Sequence, residues 1–408
     1  MKLKTLTTAM ILATVPMTGA FAAAMDRSGQ SIAAFLQPGN YFEAGISVLD
    51  PSVSGTTANT PLTLGPGANQ ATGDMASDYY FPSAALKFQV TDNFSFGLLY
   101  DQPFGAEAEY TAQSIAFNPT GNDGTAAEVT TENLTFLFGF QPTQNWNIYA
   151  GPVYQTAKGN VALRGTAYGP FGQLSYNANM KEDSELGWIA GLAYQIPEIA
   201  LKASVTYRSE IKHELQATEN ITHPLAGELS GANMVGAMNP LAQYQPGKTA
   251  VTTPQSVNLD LQSGIMANTV GFLNVRWVNW DGFSIRPNDF GYVIDALVPG
   301  GNLVEYNKDQ WSATAGVGRK FNEKWAGNVS VGWDSGAGNP VTTLGPTEGY
   351  WNLGLGLQYS PAANYFIAGG VKYFWLGDAD ALTAANPNVG KFEDNHALGY
   401  GLKMGYRF

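Results

Sequence analysis

Side chains able to do covalent chemistry are few and scattered along this sequence. The only histidines are His213, His223 and His396, and cysteine is absent. Covalent hydrolysis needs a nucleophile beside a base, yet the chain has no Gly-x-Ser-x-Gly turn. It has no His-Glu-x-x-His zinc motif, phosphate loop or dinucleotide fingerprint either. Without cysteine, thiolate metal sites and disulfides are both closed off. The expectation is a protein that is not an enzyme and holds no metal or cofactor. The charged residues follow a different logic. Lys202, Ser204, Thr206, Arg208, Glu210, Lys212 and Glu214 occupy every second position of 201–215, between Ala203, Val205, Tyr207 and Ile211. That row reads as a ladder of ion pairs on the inward face of a strand. On the same count His213 falls with Ile211 and Leu215 on the outer face. Asp334, directly after Trp333, has inward parity and is an expected anchor of the lumen or of a hatch within it, accepting hydrogen bonds.

The elements that must carry these residues follow from composition. Of 408 residues only 13% are charged, against 12% aromatic and 47 glycines; a soluble domain is roughly 25% charged. Lys2 and Lys4, the apolar run Leu6 to Met17 and Ala20-Phe21-Ala22 read as a secretory signal over residues 1–22, cleaved after Ala22. Beyond it no apolar run approaches about 18 residues, so helical spans are excluded. A closed sheet is the remaining way to place much chain in lipid, because it satisfies its own backbone groups. The net charge of −12 argues against nucleic-acid binding, since phosphate contacts need a basic face.

Periodicity supports the closed sheet. His396, Leu398, Tyr400, Leu402, Met404, Tyr406 and Phe408 alternate with Ala397, Gly399, Gly401, Lys403, Gly405 and Arg407, as a lipid-out, lumen-in strand requires. Trp351 to Ser360 repeats the pattern. Six short turns, at 91–93, 141–145, 195–198, 267–268, 321–324 and 360–364, join twelve strands in pairs. One strand near Tyr41 to Val53 and a last one at 396–408 bring the count to fourteen. The expected fold is an all-β, membrane-spanning antiparallel barrel of about fourteen strands over 41–408. Residues 23–40, including a helical turn or two at Ser28 to Phe35, are the expected plug of a lumen too wide for wall side chains to fill. Trp146, Trp325 and Tyr365 begin strands just after turns, as an interfacial girdle demands.

Several stretches, in order and spacing, resemble the FadL/TodX type of outer-membrane transporter for long-chain fatty acids and hydrocarbons. They are Phe81-Pro82-Ser83-Ala84 to Phe94-Ser95-Phe96-Gly97 with Gln102-Pro103-Phe104-Gly105; Thr253-Pro254-Gln255-Ser256 with Trp277-Val278-Asn279-Trp280; and Asn307-Lys308-Asp309-Gln310-Trp311 with Val331-Gly332-Trp333-Asp334-Ser335. The resemblance implies a monomeric barrel with an N-terminal hatch, and passive uptake with sideways exit at a kink in the third strand. Pro103, Phe104 and Gly105 fall at that kink. Proline removes a ladder donor and glycine tolerates the bend. Arg164 and Lys308 resemble the family's carboxylate ligands. Two departures stand out: the segment ahead of the first strand is short, without the usual Asn-Pro-Ala element, and Thr347-Glu348-Gly349 replaces an acidic-Arg pair.

The functional expectation is passive passage of hydrophobic small molecules, fatty acids or hydrocarbons, across the outer membrane of a Gram-negative bacterium. The expected partners are the membrane's lipid and lipopolysaccharide, and the barrel-assembly machinery reading Tyr406 and Phe408. The alternative is a general diffusion porin, which selects small polar solutes by size and by rings of charge.

Overall fold

The computed structural model describes residues 24–58 and 69–408; the expected signal and its cleavage site lie outside them. Fourteen strands run antiparallel and the last pairs with the first. In chain order they are β1 (Tyr41–Ser52), β2 (Tyr79–Gln89), β3 (Phe94–Asp101, resuming at Gly105–Glu109), β4 (Ala126–Phe140) and β5 (Trp146–Leu163). Then follow β6 (Tyr176–Ile196), β7 (Leu201–Arg208, resuming at Ile211–Leu215 and Ala217–His223) and β8 (Thr249–Thr253, resuming at Ser256–Met266). The circuit ends with β9 (Thr269–Val278), β10 (Gln310–Lys320), β11 (Trp325–Asp334), β12 (Tyr350–Ala362), β13 (Tyr365–Leu376) and β14 (His396–Arg407).

The side-chain period of two decides which face is which. On β14, Leu398, Leu402 and Met404 are exposed while Ala397, Lys403 and Gly405 are buried; the outer face is apolar and the inner face small or polar, as lipid outside requires. Two aromatic rows bound the apolar band. At the short-turn end Phe94 meets Phe140, Trp146 meets Tyr194 and Trp325 meets Tyr359, with ring centroids 5.1, 4.7 and 4.7 Å apart. Towards the long loops Trp333, Trp351 and Trp375 sit side by side across β11, β12 and β13. Trp351 and Tyr359 are eight positions apart on β12, roughly 26 Å of strand and about 20 Å along a membrane normal at barrel tilt.

The row at 201–215 is not one ladder. Lys202, Ser204, Thr206 and Arg208 face inward as expected, but the alternation then resumes in the opposite phase. Ile211, His213 and Leu215 are buried, while Lys212 and Glu214 are exposed and pair with each other at 3.4 Å. His213 is therefore inside, bonded to Asp183 and Gln155 at 3.1 and 3.0 Å. Two interruptions side by side cause the flip: β7 breaks between Arg208 and Ile211, and β8 breaks opposite, at Pro254-Gln255. Proline cannot continue a ladder.

Candidate functional site

Residues 24–40 run inside the barrel and bond to its inner wall. The stretch Ser28 to Phe35 forms turns, with Phe35 and Leu36 donating to the Ile32 carbonyl, rather than a regular helix. Phe35 is fully buried, edge-on to Tyr149 at 5.8 Å. Gly97 and Gly139 make room for it, since a Cβ at either would overlap its ring. Burying that ring contributes about 1.5–3 kcal/mol to docking. Polar anchors surround it. Arg276 on β9 grips Asp26 with Nε and Nη2, at 2.7 and 2.9 Å, and also donates to Asn258 and Gln30. Asn258 donates to the Gly29 carbonyl at 2.8 Å, Arg208 to that of Gln30 and Lys202 to that of Leu36. The inward cations of β7 thus hold the N-terminal segment rather than one another.

The third strand breaks where proline and glycine predicted a bend. β3 and β4 pair as far as Asp101 with Asn133 and resume at Gly105 with Thr130, so three residues of β3 face two of β4. That is a one-residue bulge. The N-terminal segment fills the vacated backbone positions. Gly105 donates to the Met25 carbonyl at 2.9 Å, and Arg27 donates to the Pro103 carbonyl at 2.7 Å. On the other side of β3 the wall parts. β2 and β3 pair from Gln89 with Ser95 only up to Ala84 with Tyr100. Above that, Tyr79–Ser83 pair with β1 alone, and Pro82 has no N–H to offer. The two edges meet again at the Tyr79 hydroxyl, which bonds both the N–H and the carbonyl of Glu107, and at the Glu109 N–H on the Met75 carbonyl.

Two cavities flank this interruption. One, partly open, is lined by Phe81, Pro82, Ser83, Tyr100 and Gln102 with Arg27, Arg208 and Asp101. The other, small, is lined almost wholly by apolar groups, among them Met25, Phe104, Met180, Leu215, Trp280 and Phe283. The bridge of Asp26 to Phe104 stands between them: Met25 and Phe104 face one cavity, Arg27 and Gln102 the other. Trp280 is the aromatic centre of the apolar cavity, 5.5 Å from Phe104 and 4.8 Å from Phe283.

The expected site residues fall in three places. Pro103, Phe104 and Gly105 form the break. Asp334 is buried and accepts from Gln310 and from the Gly336 N–H, at 2.7 and 2.9 Å; Gln310 in turn receives the Trp280 indole N–H at 2.8 Å. Asp334 thus steadies an aromatic wall of the apolar cavity and bonds to no residue of 24–40 among those described. Arg164 and Lys308 line neither cavity. Arg164 spends its guanidinium on Asp123, on the Leu163 and Tyr176 carbonyls and on Asn177, at 2.7–3.0 Å. Lys308 is exposed in the connection before β10. Sequence reasoning missed Arg276, Arg27 and Asp26. Only the inward parity of Arg276 between apolar neighbours hinted at a buried cation.

The whole chain from residue 20 to 408 matches the family model described as outer membrane protein transport protein (OMPP1/FadL/TodX). The chain belongs to this family. Like other OMPP1/FadL/TodX members it is an outer-membrane transport protein for hydrophobic compounds, not an enzyme. No curated protein sequence matches it. Among solved structures it is similar to a Pseudomonas aeruginosa FadL homologue, with a TM-score of 0.71 and 15% identity over 99% of this chain and 98% of that one. It is also similar to the Pseudomonas putida toluene transporter TodX, with a TM-score of 0.63 and 12% identity over 92% and 91%. For the Ralstonia pickettii toluene transporter TbuX the values are 0.59 and 13% over 97% and 99%. At such identities the likeness concerns the barrel.

Proposed function

We propose that this protein passes hydrophobic small molecules into a Gram-negative outer membrane sideways. Cargo gathers in the apolar cavity around Trp280, crosses at the Asp26–Phe104 bridge and leaves between β2 and β3, while residues 24–40 plug the bore. The observation that carries this reading is the interrupted β2–β3 ladder, which opens on a cavity that the Asp26–Phe104 bridge alone divides from the apolar one. A lateral path suits apolar cargo, which loses nothing on entering hydrocarbon but would lose its burial on entering water. A plugged lumen also speaks against the porin alternative, which needs an open aqueous bore.

The test uses the lack of native cysteine. Ser83→Cys places the sole thiol at the opening, where a bulky methanethiosulfonate reagent can attach and a reductant can remove it. Uptake of a radiolabelled hydrophobic probe should stop on labelling and return on reduction. Undiminished uptake by fully labelled protein would sink the lateral route.

A further inference from the structure

The wall is interrupted a second time, between β6 and β7. They pair from Ile196 with Leu201 up to Ile189 with Arg208, and again from Met180 with Ala217 to Asn177 with Asn220. Between those stretches, 181–188 of β6 and 209–216 of β7 share no ladder, and Ile211–Leu215 pairs with Thr249–Thr253 of β8 instead. Main-chain bonds close the two ends of this slit. Ser209 donates to the Trp188 carbonyl at 3.0 Å, and Lys181 to that of Gln216 at 2.9 Å. Side chains close its middle. Ile211 lies over Gly187, and the Asp183 carboxylate accepts from the Glu214 N–H and meets His213 Nδ1, at 3.3 and 3.1 Å.

The slit starts level with the upper aromatic row. Tyr154 on β5 stands opposite Leu186, eight positions from Trp146, the spacing that separates the two rows on β12. Beside it Trp188 and Tyr207 are in ring contact at 5.0 Å. Beyond this row both faces of β6 meet solvent. Glu182 and Ser184 are exposed on one face, and Glu185, with the inward parity of Asp183 and Ile189, is exposed on the other. Behind the slit polarity falls. A small cavity runs from Trp188, Ser209 and Ile211 to Phe104 at the β3 break. The apolar cavity around Trp280 takes in Met180, Leu215 and Thr253 at the slit's inner edge.

We infer that this slit is an entrance: a small hydrophobic molecule passes between β6 and β7, from the polar layer above the outer leaflet into the apolar cavity, when Asp183 parts from β7. The inference rests on that cavity holding cargo and adds where the cargo comes in. The charged rim sets the direction, because a hydrophobic molecule gains by leaving a wet surface for an apolar cavity and loses by returning. The latch suits an entrance too. The Asp183 side chain is 24% exposed, so water can take over its hydrogen bonds as it swings out.

The chain has no cysteine, so the slit can be stapled. A Cβ at Gly187 would fall 2.5 Å from Ile211 Cγ1, within the reach of a disulfide, and Gly187→Cys with Ile211→Cys places two thiols there. Oxidation should cut uptake of radiolabelled naphthalene by cells carrying the barrel at least tenfold, and dithiothreitol should restore it. Each single variant should ignore the oxidant. Heat-modifiable migration reports folding, and thiol titration reports the staple. If the pair does not assemble or bridge, Glu185→Cys with a bulky methanethiosulfonate adduct should block uptake in its place, reversibly. Purified barrel loaded with naphthalene before oxidation should still release it to lipid at the unstapled rate. Undiminished uptake by fully stapled or labelled protein overturns the entrance and leaves the β2–β3 exit standing. Trapping of the preloaded probe overturns it too, by making the slit a way out. Uptake no greater than that of cells lacking the barrel would overturn the cargo cavity on which the entrance rests.

Discussion

Arg276→Ala should unplug the barrel. The guanidinium makes five donor contacts, two to Asp26, one each to Asn258 and Gln30, and a longer one to Ser256 at 3.3 Å. Its removal strands the Asp26 carboxylate, 5% exposed, with no counter-charge within 4 Å among the described residues. Breaking one side of a buried ion pair costs about 3–5 kcal/mol. At 1.36 kcal/mol per factor of ten, that raises the undocked fraction of residues 24–40 by roughly 150- to 5,000-fold. The barrel ladder itself is untouched, so assembly should be normal. In planar bilayers the wild type should be nearly silent and Arg276→Ala should show frequent ion-conducting openings. Asp26→Leu with Arg276→Met, which removes both charges, should be much quieter than the single variant. A silent Arg276→Ala channel, with the variant folded, would refute the idea that this pair holds the segment.

Tyr79→Phe deletes the hydroxyl that spans the opening to the Glu107 N–H and carbonyl. Two backbone groups are left unpaired, at about 1–3 kcal/mol each, so hydrogen exchange at 105–109 and the rate of probe uptake should both rise. Arg164→Gln should leave probe binding within twofold yet speed proteolysis of the 116–125 connection, because its guanidinium serves the wall end and Asp123. In the loop before β10, the Asp295 carboxyl accepts from Arg286 and from the Gly300 N–H, and these hold its pKa below the usual 3.8. The loop therefore gains stability above the unfolded value and loses it as pH falls through the lower, folded one. Asp295→Asn should be cut by pepsin faster than wild type at about pH 4.5 and equally fast near pH 2, when both carboxyls are neutral. The half-exposed pair makes this a small effect.

The strands were legible because lipid on one side and lumen on the other impose strict alternation, as β12 and β14 display. The short turns were legible because they interrupt it. Pro103 and Gly105 marked the break since each removes something a ladder needs. The phase flip at Ser209 was hidden because the residues on both sides still alternate, and only Pro254 on the neighbouring strand, opposite in space, reveals it. The anchors at Asp26 and Arg276 lie 250 positions apart in sequence, so no spacing rule joins them. The carboxylate roles implied for Arg164 and Lys308 rested on motif position, which carries no information about burial or about the partners a cation already has.

On the lateral route proposed above, the bridge between the N-terminal segment and β3 would set the tempo of transport as well. Arg27 N–H with the Pro103 carbonyl, and Gly105 N–H with the Met25 carbonyl, are two backbone bonds between buried stretches of chain. A hydrocarbon tail sliding between the cavities can replace neither, and unpaired peptide groups there cost several kcal/mol each. The parted state is thus a brief crest rather than a resting conformation. Flux should saturate at a ceiling fixed by how often the chain lets go, and chemically different cargoes should share that ceiling while differing in the concentration needed to reach it.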